Sequence, residues 1–252
     1  QVNVAVDGDL KVGNLHLEFE DMGVALGNLP ISVVRRYDTL YKDENGELGY
    51  GWKLAIRNAD IEQDALSNIF VTLPDGKRTR FAFTPYSPGA NTIGEYGLAF
   101  PQYKAVAGVY ARLECLDVPI IYVIDGVYYA WDGIEMLPFI PTEFKVTTSD
   151  GLVYYLTRGV GVTKVVEPNG AWLAFGSDAI SHSSGKSVAF TRDSQGRITV
   201  LTGPDGKTVR YDYNAAGDLV GVTDPAGSKI TFGYVNHALS GIFGPDGKKL
   251  SA

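Results

Sequence analysis

TGPDGKTVRYDYNAAGDLVGVTDPAGSKITFGYVNHALSGIFGPDG, residues 202–247, repeats itself. Gly-Pro-Asp-Gly at 203–206, Asp-Pro-Ala-Gly at 224–227 and Gly-Pro-Asp-Gly at 244–247 put the Pro-x-Gly cores at Pro204, Pro225 and Pro245, spaced about 21 residues apart. A fixed period of that size marks one supersecondary unit copied in series. The period runs upstream: Ser183-Ser184-Gly185 fills the same slot without the proline, and Pro168-Asn169-Gly170 closes a shortened unit before it. A second punctuation falls mid-unit, at Asp193-x-x-Gly196-Arg197-Ile198 and again at Asn214-x-x-Gly217-Asp218-Leu219. A third copy, near Asn236 to Leu239, has lost its glycine and one residue.

Between the turns the chain alternates with period two. Val209, Tyr211 and Tyr213 interleave with Thr208, Arg210 and Asp212, and Ile230, Phe232 and Tyr234 with Lys229, Thr231 and Gly233. That is the pattern of a strand with one buried face. Proline presets φ near the start of a turn, and a glycine two positions later accepts positive φ. Each unit therefore reads strand, turn, strand, turn. The expected fold class is all-β, with antiparallel strand–turn–strand repeats forming a curved ribbon whose aromatic face, with Tyr211, Tyr213, Leu219, Phe232 and Tyr234, is its core. The turn positions are Pro168, Gly170, Gly185, Gly196, Pro204, Gly206, Gly217, Pro225, Gly227, Pro245 and Gly247.

The unit resembles the YD repeat of the Rhs family, whose members include the shell proteins of bacterial polymorphic toxins, the C components of Tc toxins and the teneurins. The family unit runs Tyr-Asp-x-x-Gly-Arg-Leu, a short strand, then Asp-Pro-x-Gly. Tyr213 to Leu219 followed by Asp224 to Gly227 fits it, with departures at Asn214 and Asp218. One unit earlier Asp193, Gly196 and Arg197 match and Arg192 replaces the tyrosine. A second stretch is similar to the entry module that precedes the repeats in many Rhs proteins. Arg35, Tyr37, Asp38 and Thr39 fill its first motif, and Gly49, Gly51, Trp52 and Leu54 its second, with Leu48 in place of phenylalanine. Physically, Trp52 plugs a core between glycine turns that let backbones approach. Arg35 is expected to pair with Asp38 or a backbone carbonyl.

The remaining chain also reads as strands. Leu15, Leu17 and Phe19 alternate with His16, Glu18 and Glu20, after a tight turn at Val6 to Asp9. Ile69 to Phe83 is a hairpin about Pro74-Asp75-Gly76 that resembles a divergent repeat. Asp125-Gly126, Asp132-Gly133 and Asp150-Gly151 separate further apolar runs, a strong hairpin signal. Tyr86 to Asn91 is a loop. Lys104 to Leu116 has the alanine content of a short helix, but Gly108 and Val109 oppose it. The expected regions are an entry module at 1–60, a divergent hairpin region at 61–164 and regular repeats at 165–252, in one continuous β body.

Composition bounds the function. The chain has 252 residues, 45% hydrophobic, and a net charge of −7. Residues 165–252 hold 8 basic and 8 acidic side chains, so the whole excess lies upstream. With no basic stripe, nucleic acid is not an expected partner. No apolar run of 18 residues exists to span a membrane. One cysteine, Cys115, excludes an internal disulfide and reads as a buried structural thiol. The chain starts at Gln1 rather than Met, which reads as a processed or excised piece.

No catalytic constellation emerges. His16, His182 and His237 have no metal spacing, and neither a Gly-x-Ser-x-Gly elbow nor a phosphate loop is present. Neither metal nor cofactor is expected, and the chain reads as a non-enzyme. Glu18 and Glu20 share a strand face about 7 Å apart, a separation open to a glycosidase pair but commonplace on exposed strands. In Rhs shells, paired Asp-Pro-x-Gly motifs serve self-cleavage; here only 224–227 has the full tetrad, and Asp224 reads as a turn residue. Tyr128, Tyr129 and Trp131, or Trp172 near Phe175, offer rings for stacking on sugars.

The resemblance implies a structural segment of a secreted or cell-surface β-shell that encloses a C-terminal toxin or effector domain, with the rest of the same polypeptide as its partner. The alternative is a glycan-binding or adhesion module with a cell-surface receptor. About five units are too few to close a shell, so a fragment, or a ribbon completed by another copy, is expected. An unpaired last strand near Lys248 is otherwise an aggregation hazard.

Overall fold

The computed structural model describes residues 15–27, 29–88, 92–93 and 96–251; the turn expected at Val6 to Asp9 and the end of the loop at Tyr86 to Asn91 lie outside them. Among the described residues the sheets are antiparallel and none closes into a barrel. The helices among the described residues are single 3₁₀ turns, Thr39–Tyr41 and Ala55–Arg57. No helix forms between Lys104 and Leu116. That stretch supplies the strands Tyr103–Ala105 and Arg112–Cys115, and Gly108 turns between them at φ +84°.

The compact units do not follow chain order. Residues 1–56 and 173–252 form one unit, and residues 57–172 form the other. The first thus joins the entry module to the repeats. Nine strands from Trp172–Phe175 to Lys249–Ser251 lie in chain order, each hydrogen-bonded to the next. The expected turn chemistry holds. Gly170, Gly185, Gly196, Gly206, Gly217, Gly227 and Gly247 have φ between +74° and +92°. At each, the glycine N–H donates to the carbonyl three residues back, and the turn's first residue donates to the carbonyl just past the glycine. This is the type I turn with a glycine bulge, in which the last turn residue must be left-handed. The third mid-unit turn differs: Asn236 and His237 have φ of +49° and +64°. Two left-handed residues make the shorter primed turn, which accounts for the missing residue and glycine.

The entry strands form a three-stranded sheet, ordered His16–Val24, Ile31–Asp38, Trp52–Leu54. Its inner face follows the sequence pattern: Leu17, Phe19, Ile31, Val33, Tyr37, Trp52 and Leu54 are all buried. A small hairpin, Asn45–Gly46 with Gly49–Tyr50, projects beside it.

The second unit holds the divergent hairpins. Ile69–Thr72 pairs with Arg78–Phe83 about a turn of the same kind as the repeats, Leu73 to Lys77. Thr148 to Leu152 repeats that turn once more. Asp125 and Gly126, both left-handed, close the two-residue hairpin between Ile121–Ile124 and Val127–Trp131.

Candidate functional site

Within the unit built from residues 1–56 and 173–252, the strands of the entry module carry one basic side chain on an otherwise apolar face. Period two in Ile31–Asp38 puts Arg35 between Val33 and Tyr37, and Arg35 is 1% exposed. Its answering charge stands at an irregularity. The pairing of His16–Val24 slips between Glu20 and Met22, so Asp21 is the extra residue of a β-bulge. Strict alternation points Asp21 to the same side as Leu17 and Phe19, and the bulge after Glu20 brings Met22 to the buried side as well. Asp21 accepts from Arg35 Nε at 2.9 Å and from the Tyr211 hydroxyl at 2.7 Å. Arg35 therefore does not pair with Asp38. Asp38 instead accepts from the Leu40 N–H and lies 3.2 Å from His16.

This charged centre sits in an aromatic cage. The Arg35 guanidinium lies 4.3 Å from the Phe19 ring centroid, 4.7 Å from Trp52 and 5.0 Å from Phe232. Desolvation is strong enough to lift the Asp21 carboxyl above its usual range even with Arg35 beside it. Burial and the neighbouring Asp21 push the Tyr211 phenol well above its ordinary value. Both groups are committed to each other, and their shared geometry ties the entry sheet to the repeats.

The repeats contribute a recurring contact. The hydroxyl of Tyr213 donates to the Ile198 carbonyl at 2.6 Å, and that of Tyr234 to the Leu219 carbonyl at 2.7 Å. One unit earlier Arg192 occupies the tyrosine position, and its Nε donates to the Ser177 carbonyl at 2.8 Å. All three reach back 15 residues. All three stand where the ladder slips, at Thr191/Arg192, Asp212/Tyr213 and Gly233/Tyr234. Arginine therefore keeps the tyrosine's bond. Asn214 and Asp218 are similarly conservative: Asn214 accepts from the Asp218 N–H, as Asp193 does from Arg197.

The entry hairpin lies across three successive mid-unit turns. The Glu47 carbonyl accepts from the Ile198 N–H at 2.8 Å, and its carboxylate pairs with Arg192 at 2.8 Å. Gly49 sits so close to the next turn that a Cβ there would be 2.5 Å from the Gly217 carbonyl oxygen. Tyr50 stacks on His237 with centroids 3.8 Å apart, and His237 Nδ1 lies 2.6 Å from Asp218. Trp52 Nε1 donates to the Tyr234 hydroxyl at 2.8 Å, and Tyr37 accepts from the Leu239 N–H at 2.9 Å. Gly51 leaves room for the Tyr37 ring, 2.6 Å from where its Cβ would be. Of the entry-motif residues, Arg35, Tyr37, Gly49 and Trp52 thus meet the repeats, Gly51 makes room for Tyr37, and Leu54 is buried in the entry sheet. Tyr211 and Phe232 are buried there, and Tyr213 and Tyr234 are half-buried.

The other candidates do not assemble. Tyr128 packs edge-on against Phe83 at 4.9 Å, while the pleat sends Tyr129 and the half-exposed Trp131 to the opposite face. Trp172 lies under the Lys164 ammonium at 5.0 Å. Glu18 accepts from Arg36 at 2.5 Å and Glu20 from Ser32 at 2.9 Å. His237 is a left-handed turn residue. Cys115 is half-buried rather than buried, with Sγ 3.4 Å from Asp117 and 3.7 Å from the Val118 carbonyl. Burial pushes its thiol up to about 12. Alkylation of the folded protein at pH 8 is expected to be slower than that of the urea-unfolded chain by about tenfold or more, since the thiolate is the nucleophile; equal rates would contradict the placement.

Sequence reading missed Asp21, the Tyr211 hydroxyl, Glu47 and the Asp218–His237 pair. A signal for Asp21 existed, because strict alternation already puts it in phase with Leu17 and Phe19.

Comparison with known families matches two stretches of the chain. A family model described as RHS Repeat matches residues 192–229 and 213–248. A model described as Domain of unknown function (DUF6531) matches residues 9–81. No curated protein matches the chain.

Proposed function

The chain belongs to the Rhs/YD-repeat family, and from that premise we propose that it is a wall segment of a secreted or cell-surface shell that encloses a C-terminal toxin or effector domain. Its role is structural and involves no catalysis of its own. Its partners are further repeats and the enclosed domain of the same polypeptide. The observation that carries this reading is the ribbon: nine strands in chain order, turned by one repeated closure, a wall that lengthens by a unit every 21 residues or so. The docked entry module supports it further. It covers the aromatic face of the repeats, so the wall has a dry side without needing a second layer of repeats.

The test is the intact mass of the native product, measured with and without denaturation. A polypeptide well above 27.2 kDa, whole or cut but still associated, is the expected result. A lone monomer of 27.2 kDa would overturn the reading.

A further inference from the structure

We propose that Tyr211 and Arg192 fix which repeat the entry module docks on. A ribbon that repeats every 21 residues offers the same docking face more than once, so its partner, the segment 15–56, can in principle sit one unit out of place. The apolar contacts discriminate weakly. Displaced upstream by one unit, Trp52 would meet the Tyr213 hydroxyl in place of Tyr234, and Gly49 would meet Gly196 in place of Gly217. Specificity is a difference between such alternatives, and it is best placed where the wrong one leaves a polar group unpaired.

Two departures from the repeat do this. The inner-face position reads Phe190, Tyr211, Phe232 in successive units, so only the middle one can donate to a carboxylate. In the observed register that hydroxyl meets Asp21 at 2.7 Å. One unit away in either direction, Asp21 faces a phenylalanine and loses a donor while buried. The bulge position reads Arg192, Tyr213, Tyr234, so only the first can pair with Glu47. The two marks lie on different parts of the entry module, the bulge at Asp21 and the hairpin at Glu47, and both specify the same register. The inference is independent of what the ribbon encloses.

His237 reports the register, because Tyr50 stacks on it only in the observed one. In the full chain, the His237 ring protons are expected to give one NMR signal set, shifted upfield by the Tyr50 ring. Tyr211→Phe removes the hydroxyl and keeps the ring. It is expected to raise the displaced fraction by about tenfold or more, the worth of a hydrogen bond to a charged group, seen as a second, unshifted His237 signal. Arg192→Tyr, which restores the repeat pattern, is expected to do the same. Phe190→Tyr combined with Tyr211→Phe moves the hydroxyl one unit upstream and is expected to enlarge the second signal beyond that of Tyr211→Phe alone. A single stacked signal in all three variants, with only a lower unfolding midpoint, would overturn the proposal. So would a Tyr211→Phe chain that no longer folds, since displacement predicts a folded one.

Discussion

Asp21→Ala is expected to destabilise the unit formed by residues 1–56 and 173–252 by about 3–5 kcal/mol, the cost of leaving a buried charge without its partner. Arg35 is 1% exposed, and its carboxylate partner is Asp21. The rings of Phe19, Trp52 and Phe232 attract the guanidinium, but cation–π contacts of about 2 kcal/mol when desolvated do not replace an ion pair. Removing the charges together has a different result. In Asp21→Leu/Arg35→Met/Tyr211→Phe the polar groups of this centre are removed together, and stability is expected to return to within about 1–2 kcal/mol of the parent. Urea titration of both variants decides it. A loss below about 1 kcal/mol for Asp21→Ala, or no recovery in the triple variant, would mean that the interior is wetter than its burial implies.

The second large effect is steric. At Gly49 the backbone is left-handed, φ +81°, and a Cβ would sit 2.5 Å from the Gly217 carbonyl oxygen. Gly49→Ala meets both obstacles: about 1 kcal/mol of backbone strain, and about 1–3 kcal/mol for forcing two backbones apart. Gly206→Ala is the control. Its φ is +80°, yet nothing lies within 4 Å of the added methyl, so only the strain remains. Thermal midpoints should fall two- to fourfold further for Gly49→Ala than for Gly206→Ala. Equal shifts would show that the hairpin is not seated on the Gly217 turn.

Much of this architecture was legible in the sequence because it is local. The left-handed glycines, the proline-led turns and the period-two faces each depend on a few neighbouring residues, and the 21-residue repeat amplified a weak signal by copying it. The entry motif was legible as a motif, but the partner of Arg35 was misjudged. Asp38 is near in sequence, whereas Asp21 meets Arg35 from the neighbouring strand, 14 residues away. Tyr211 was read as a core ring, correctly, but its hydroxyl finds Asp21 across 190 residues, a separation on which local pattern is silent. Tyr128, Tyr129 and Trp131 looked like one platform on composition. The pleat, which sends adjacent side chains to opposite faces, separates Tyr128 from the others.

The interleaved order of the two units has a consequence for how the chain is made. Tyr37 meets Leu239 across 202 residues, and Trp52 meets Tyr234 across 182. At about 5–20 residues per second of synthesis, the entry strands wait on the order of 10–40 s for the repeats that cover them. During that time Ile31, Val33, Tyr37 and Trp52 have no lid. Closing so long a loop adds little to the equilibrium cost, because loop entropy grows only with the logarithm of length, but it delays the step. The newborn chain thus carries a sticky half-interface whose mate has not yet been translated, and whatever shields that surface on the ribosome governs how much protein reaches the folded state.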